Sequence, residues 1–211
     1  MRLAIVANEQ LKEEMISISF KEDVQIDWLS SISELAKYQH ADAVIDLLFD
    51  PEKSDTTLLK EFHPRPVIIN SVLKTLPDID LSFIRINGWP TFLKRPVTEA
   101  AFSIEADKVA GEKIFEALGR KVQWVPDVPG FLSPRVIAMI INEAYFTLEE
   151  NVSTKEEIDT AMKLGTNYPF GPFEWAQMIG LKNIYDLLNI LSIKEKRYQP
   201  AALLIKEALE K

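Results

Sequence analysis

The chain has 211 residues, 47% of them hydrophobic and 27% charged, with a formal net charge of −8 at pH 7, two histidines and no cysteine. That composition suits one large or two modest globular domains, excludes disulfides, thiolate metal sites and a cysteine nucleophile, and opposes nonspecific contact with nucleic-acid phosphates. No apolar run is long enough to cross a bilayer and no signal-peptide pattern opens the chain, so a cytoplasmic protein is expected, with no membrane or nucleic-acid partner and no metal.

Residues 2–6 form an apolar run that passes directly into a helical pattern over 9–20, the way nucleotide-binding domains open. Further strands are expected at 24–28 (VQIDW), 43–49 (AVIDLLF), 66–70 (PVIIN), 82–86 (SFIRI) and 98–104, with helical segments at 30–38, 54–62 and 106–118. This alternation predicts an α/β domain built on a parallel sheet with crossover helices. The proline-rich stretch WVPDVPG, 124–130, reads as a hinge, giving an α/β domain over 1–125 and an all-helical one over 126–211. In the helical part, Ser133 is expected as N-cap with Pro134 in the first helical position. STKE at 153–156 reads as a capping box for the next helix, which Gly165 closes. Pro172 and Gly180 bracket a third helix, and two more follow near 182–192 and 200–210.

Residues 127–181, DVPGFLSPRVIAMIINEAYFTLEENVSTKEEIDTAMKLGTNYPFGPFEWAQMIGL, closely resemble the C-terminal domain of 3-hydroxyacyl-CoA dehydrogenases. PGF, NEA, EEIDTAMKLG and YPFGPFEWAQMIGL fall in family order and spacing, and RYQPAALLIKEALE at 197–210 continues the likeness. The resemblance implies a shortened Rossmann-like domain followed by an all-α domain of the 3-hydroxyacyl-CoA and 6-phosphogluconate dehydrogenase type. It also implies NAD as cofactor, an acyl-CoA ligand, a place in fatty acid metabolism and a homodimer formed through the helical domain. Such an enzyme oxidises the 3-hydroxyl with NAD while a histidine, oriented by an acid, takes the proton.

Carried over residue by residue, the family's three cofactor-loop glycines fall on Ala7, Glu9 and Lys12. A Cβ at each position intrudes where backbone N–H groups must approach the pyrophosphate, and Glu9 adds repulsion on the order of a few kcal/mol in partly desolvated surroundings. Asp27, read as ending the second strand, falls at the ribose-binding acid, and Asp46 and Asp50 at the acids of the third strand and its loop. The family's histidine aligns with Asn87 and its orienting acid, twelve residues on, with Glu99. An asparagine amide takes up no proton near neutral pH, which removes general base catalysis worth roughly 10²–10⁴ in rate. In the substrate-binding positions NSVL at 70–73 keeps Asn70 and Ser71 but has Val72 at the serine, and Pro134 replaces an asparagine.

His40 and His63 lie before strands three and four, where a loop-capping role is expected rather than a catalytic one. Lys94 and Arg95 read as a solvated basic corner, with a CoA phosphate as the functional alternative. Tyr168, Phe170, Phe173 and Trp175 read as a helix–helix corner, the alternative being a wall of an acyl-chain pocket. Val136, Ile140, Ile141 and Ala144 form a stripe that is either core or dimer face. The leading expectation is therefore a family member with lost or much reduced NAD-dependent activity, acting as an acyl-CoA-binding or assembly module. The alternatives are an active, divergent NAD-dependent 3-hydroxyacyl-CoA dehydrogenase using water or Glu99 as base, and a structural dimer without a small ligand.

Overall fold

The computed structural model describes residues 1–54, 56–79 and 82–210, so Asp55, within the helical span expected at 54–62, lies outside the described residues. The chain divides into two compact units, Met1–Phe131 and Leu132–Lys211. The division falls six residues beyond the one expected from sequence because residues 127–130 are tied to the first unit. Asp127 accepts from the Leu76 N–H at 3.0 Å and Gly130 N–H donates to Val72 O at 2.7 Å.

In the first unit the strands are β1 (Arg2–Val6), β2 (Gln25–Leu29), β3 (Ala43–Asp46), β4 (Val67–Asn70), β5 (Ile84–Ile86), β6 (Val97–Phe102) and β7 (Lys121–Trp124). They form one sheet in the order β2-β1-β3-β4-β5-β6-β7. The interior strands β1, β3 and β4 are apolar on both faces, as a parallel sheet covered on both sides demands. One face, with Leu3, Ile5, Ile45, Ile68 and Ile84, packs on α1 (Glu9–Ile16) and α3 (Glu105–Ala117). The other, with Ala4, Val44, Val67 and Ile69, packs on α2 (Thr57–Phe62) and a 3-10 turn at Ile32–Lys37.

Two sheet features differ from the expectation. β6 runs antiparallel to β5, because the 87–96 connection is too short to carry a crossover helix. β7 then pairs parallel to β6 as an edge strand with alternate residues exposed, a period-2 pattern too short to register as a strand in the sequence. The α3–β7 turn needs Gly119, at φ +68°, where a Cβ would lie 2.3 Å from Ser19 O. α1 stops at Ile16, short of residue 20, and Ser17 Oγ turns back to donate to Glu14 O at 2.6 Å.

The second unit contains α4 (Ser133–Glu149), α5 (Lys155–Thr166), α6 (Pro172–Ile179), α7 (Leu181–Ser192) and α8 (Ala202–Leu209). Its core is Ile137, Ala138, Ile141, Trp175, Ile184, Leu187, Leu188 and Leu204. Three end signals fall elsewhere than expected. Leu132 precedes α4 as its cap with Ser133 already inside the helix; the capping box is Thr154 with Glu157; and α5 runs through Gly165 to end on left-handed Asn167. The NEA and EEIDTAMKLG motifs have structural duties. Asn142, buried in α4, donates to Gln199 O at 2.9 Å and accepts from Ala201 N–H at 2.8 Å. Asp159 accepts from the Phe173 and Glu174 N–H groups at the start of α6 at 2.8 and 3.2 Å.

Candidate functional site

A ligand in an open parallel sheet binds beyond the C-terminal ends of the strands, where the strand order reverses, here between β1 and β3. Ala7 follows β1, and its N–H donates to Leu29 O at 3.0 Å. Asn8 caps α1 with its own side chain, Oδ1 accepting from Leu11 N–H at 2.9 Å, and the exposed Glu9 faces Lys12 at 3.7 Å. Lys12 Nζ stands 5.8 Å from the centroid of the Trp28 ring. Leu47 continues the β1–β3 ladder, its N–H donating to Val6 O at 2.9 Å, and its buried side chain joins the cluster holding Leu11. A helix start that carries a carboxylate and no glycine lacks the close backbone approach by which such loops hold a dinucleotide pyrophosphate.

Asp27 is not at the end of its strand. It sits mid-β2, opposite Ala4, and holds Arg2 through Nε at 2.7 Å and Nη2 at 3.2 Å, which keeps its carboxyl below the usual range. His40 Nε2 lies 3.9 Å from the same carboxylate, so one histidine belongs to this ion-pair corner. Burial raises the Asp107 carboxyl above its ordinary value, against smaller opposing influences from the Ile104 backbone and from His63. Asp50 serves its own turn, accepting from Glu52 N–H and Lys53 Nζ, both at 2.9 Å. Asp46, ending β3 with 2% of its surface exposed, accepts from Leu48 N–H at 3.0 Å, and burial pushes its carboxyl up to about 6.

The structure does bring together Asn70, Asn87 and Glu99. Asn70 bridges two loops, donating to Leu47 O at 3.2 Å and accepting from Gly88 N–H at 2.9 Å. Asn87 Nδ2 reaches Glu99 Oε2 at 3.5 Å, Asn87 Oδ1 accepts from Trp89 N–H at 3.4 Å, and Asn87 N–H donates to Glu99 O at 3.1 Å. Both side chains are buried. Ser71 Oγ donates to Lys74 O at 2.8 Å, and Val72 is buried with its carbonyl taken by Gly130 N–H. Pro134 is a buried residue of α4, in the second unit. The polar groups at these positions bond to the protein itself, and the amide at 87 offers no base for proton abstraction.

Three further buried polar residues, Arg85, Glu14 and Arg120, escaped the sequence reading. Arg85, fully buried on β5, pairs with Asp127, donates to Ser71 O at 2.7 Å and Val128 O at 2.6 Å, and stacks on Phe131 at 4.1 Å. A lone arginine in the apolar run FIRI, with an aspartate in VPDVPG, was the available signal. Glu14 accepts from the Thr91 N–H, and Arg120 donates to Arg95 O at 2.9 Å and Met15 O at 3.1 Å, fastening the 88–95 loop to α1. Arg95 lies over the Phe92 ring at 4.5 Å and is half-buried, not a solvated corner. In the second unit Trp175 is buried against Tyr168 and Phe170, at 5.5 and 6.1 Å, and Phe173 meets Tyr145 at 5.1 Å, so these aromatics fill a helix corner. Ile141 and Ala144 are core, whereas Val136 is exposed.

Among the described residues, no cluster of histidine and acidic side chains has metal-site geometry, and no helix is long and apolar enough to cross a membrane.

Residues 130–210 match the family described as 3-hydroxyacyl-CoA dehydrogenase, C-terminal domain. Over 117 residues the chain is 41% identical to 3-hydroxyadipyl-CoA dehydrogenase of Escherichia coli K12, covering 54% of this chain and 25% of that protein. Over 197 residues it is 29% identical to the probable 3-hydroxybutyryl-CoA dehydrogenase of Bacillus subtilis 168, covering 86% of this chain and 69% of that protein. The fold is shared with the crystal structure of (S)-3-hydroxybutyryl-CoA dehydrogenase from Ralstonia eutropha, at a TM-score of 0.71 and 21% identity over 97% of this chain and 92% of that one. The match thus spans only a quarter of the first relative's length.

Proposed function

We propose that this chain, whose residues 130–210 match the C-terminal domain of 3-hydroxyacyl-CoA dehydrogenases, keeps that family's scaffold without NAD-dependent oxidation and works as an acyl-CoA-binding or assembly module. The observation that carries this reading is the buried Asn87–Glu99 contact, an amide in place of a base. The helix start at Asn8 and Glu9 supports it from the cofactor side. NADH oxidation dependent on acetoacetyl-CoA is expected to be undetectable in the purified protein. Measurable turnover abolished by Glu99→Gln would instead establish a working, divergent enzyme.

The assembly partner we propose is a second copy of the chain, docked on the outer face of α4. Leu132 and Val136, 59% and 51% exposed, line a groove of about 630 Å³ with Met139, Ile140, Arg135 and Glu143. Arg135, Met139 and Glu143 succeed one another every four residues, so two α4 helices crossing antiparallel about Met139 set each Arg135 opposite the partner's Glu143. Sedimentation is expected to give a dimer for the wild type, a monomer for Arg135→Glu, and a dimer again for Arg135→Glu with Glu143→Arg. An undisturbed dimer in the single variant would place the interface elsewhere.

A further inference from the structure

The chain contains a single Asn-Gly pair, Asn87–Gly88, and it stands where the family's base would be. Asn-Gly is the sequence in which a backbone nitrogen most easily attacks the preceding side-chain amide, because glycine offers no Cβ to hinder ring closure. Gly88 is fixed here by packing, since a Cβ would lie 2.9 Å from Asn70 Cγ. Trp89 N–H points at Asn87 Oδ1 from 3.4 Å and polarises the carbonyl, which favours the attack, while Glu99 Oε2 only accepts from Nδ2 at 3.5 Å. One neighbour opposes it: the Gly88 N–H is engaged by Asn70 Oδ1 at 2.9 Å, which ties up the nucleophile and its proton.

We propose that Asn87 is a self-modification site at which cyclisation with Gly88 converts the amide to a carboxylate, and that Asn70 is the clamp that holds this conversion back. The Gly88 nitrogen loses its proton to solvent base and bonds to Asn87 Cγ; the Cγ–Nδ2 bond breaks and ammonia leaves with a proton. Water then opens the cyclic imide to aspartyl or isoaspartyl, so the sum is amide plus water giving carboxylate plus ammonium, with no oxidant or reductant. The aspartyl product sets a carboxylate beside Glu99 in a buried site.

The test follows isoaspartate and the amide-to-acid mass change in the peptide spanning residue 87 during incubation in mildly alkaline buffer. The wild-type chain is expected to convert in concentrated urea and at least about tenfold more slowly when folded. A folded Asn70→Ala variant is expected to convert at least about fivefold faster than the folded wild type, in proportion to one lost hydrogen bond. Asn70→Asp, which keeps an acceptor in place, is expected to stay slow, separating loss of the clamp from general loosening. Equal rates for folded and urea-unfolded wild type, or a folded Asn70→Ala no faster than wild type, would overturn the clamp. No conversion at residue 87 even in urea would overturn the site.

Discussion

Replacing Arg85 by methionine is expected to destabilise the first unit by about 3 kcal/mol, measured as a lowered urea midpoint, because breaking a buried ion pair from one side strands the groups it served. The guanidinium is fully buried, and it satisfies the Ser71 and Val128 carbonyls as well as the Asp127 carboxylate. Methionine fills a similar volume but donates nothing, so two carbonyls and a charge lose their partner together. Adding Asp127→Asn to Arg85→Met is expected to recover part of the loss, since the stranded charge disappears while the two carbonyls stay unpaired. A cost below about 1 kcal/mol for Arg85→Met would mean that water reaches these groups and that the 127–131 segment is not held by this residue.

Asp46→Asn is expected to act in the opposite direction. Burial raises the folded-state carboxyl from 3.8 to about 6, so the native state favours the protonated form. Its contribution to stability is fully present below about pH 4 and lost as pH rises through about 6, and a shift of about two units amounts to about 3 kcal/mol at neutral pH. Asparagine keeps an oxygen for Leu48 N–H and carries no charge. The variant is therefore expected to be more stable than wild type at pH 7.5, by a margin that shrinks as pH falls from 6 to 4. A margin that stays the same over that interval would show that Asp46 stays ionised at little cost.

These two residues mark the limit of what the sequence conveys. The runs AVID, VIIN and FIRI announce buried strands because a parallel interior strand must be apolar on both faces, and Pro172 and Gly180 bound α6 as glycine and proline chemistry requires. N-caps were legible to within a residue: a threonine one place on, Thr154, makes the box that STKE suggested. The nearness of Asn87 and Glu99, which the family resemblance implied, comes from adjacent segments of an antiparallel pair that the sequence reading did not expect. The partners of Asp27 and Arg85 were not legible. They lie 25 and 42 residues away in sequence, and no local period carries a pairing that forms only when strands and loops meet. Asp27 looked like a strand end because the run VQIDW stops being apolar there, yet β2 continues to Leu29 and turns the carboxylate to Arg2.

The central claim is that the crevice at the C-terminal ends of β1 and β3 no longer takes a dinucleotide. It is tested most directly by a calorimetric titration of the purified protein with NADH, followed in the same cell by acetoacetyl-CoA. The account predicts no heat of binding from NADH up to about millimolar concentration, with any signal arising from the acyl-CoA alone. NADH binding with a dissociation constant of about a micromolar would contradict it, and would mean that Ala7, Glu9 and Lys12 hold a pyrophosphate without glycine.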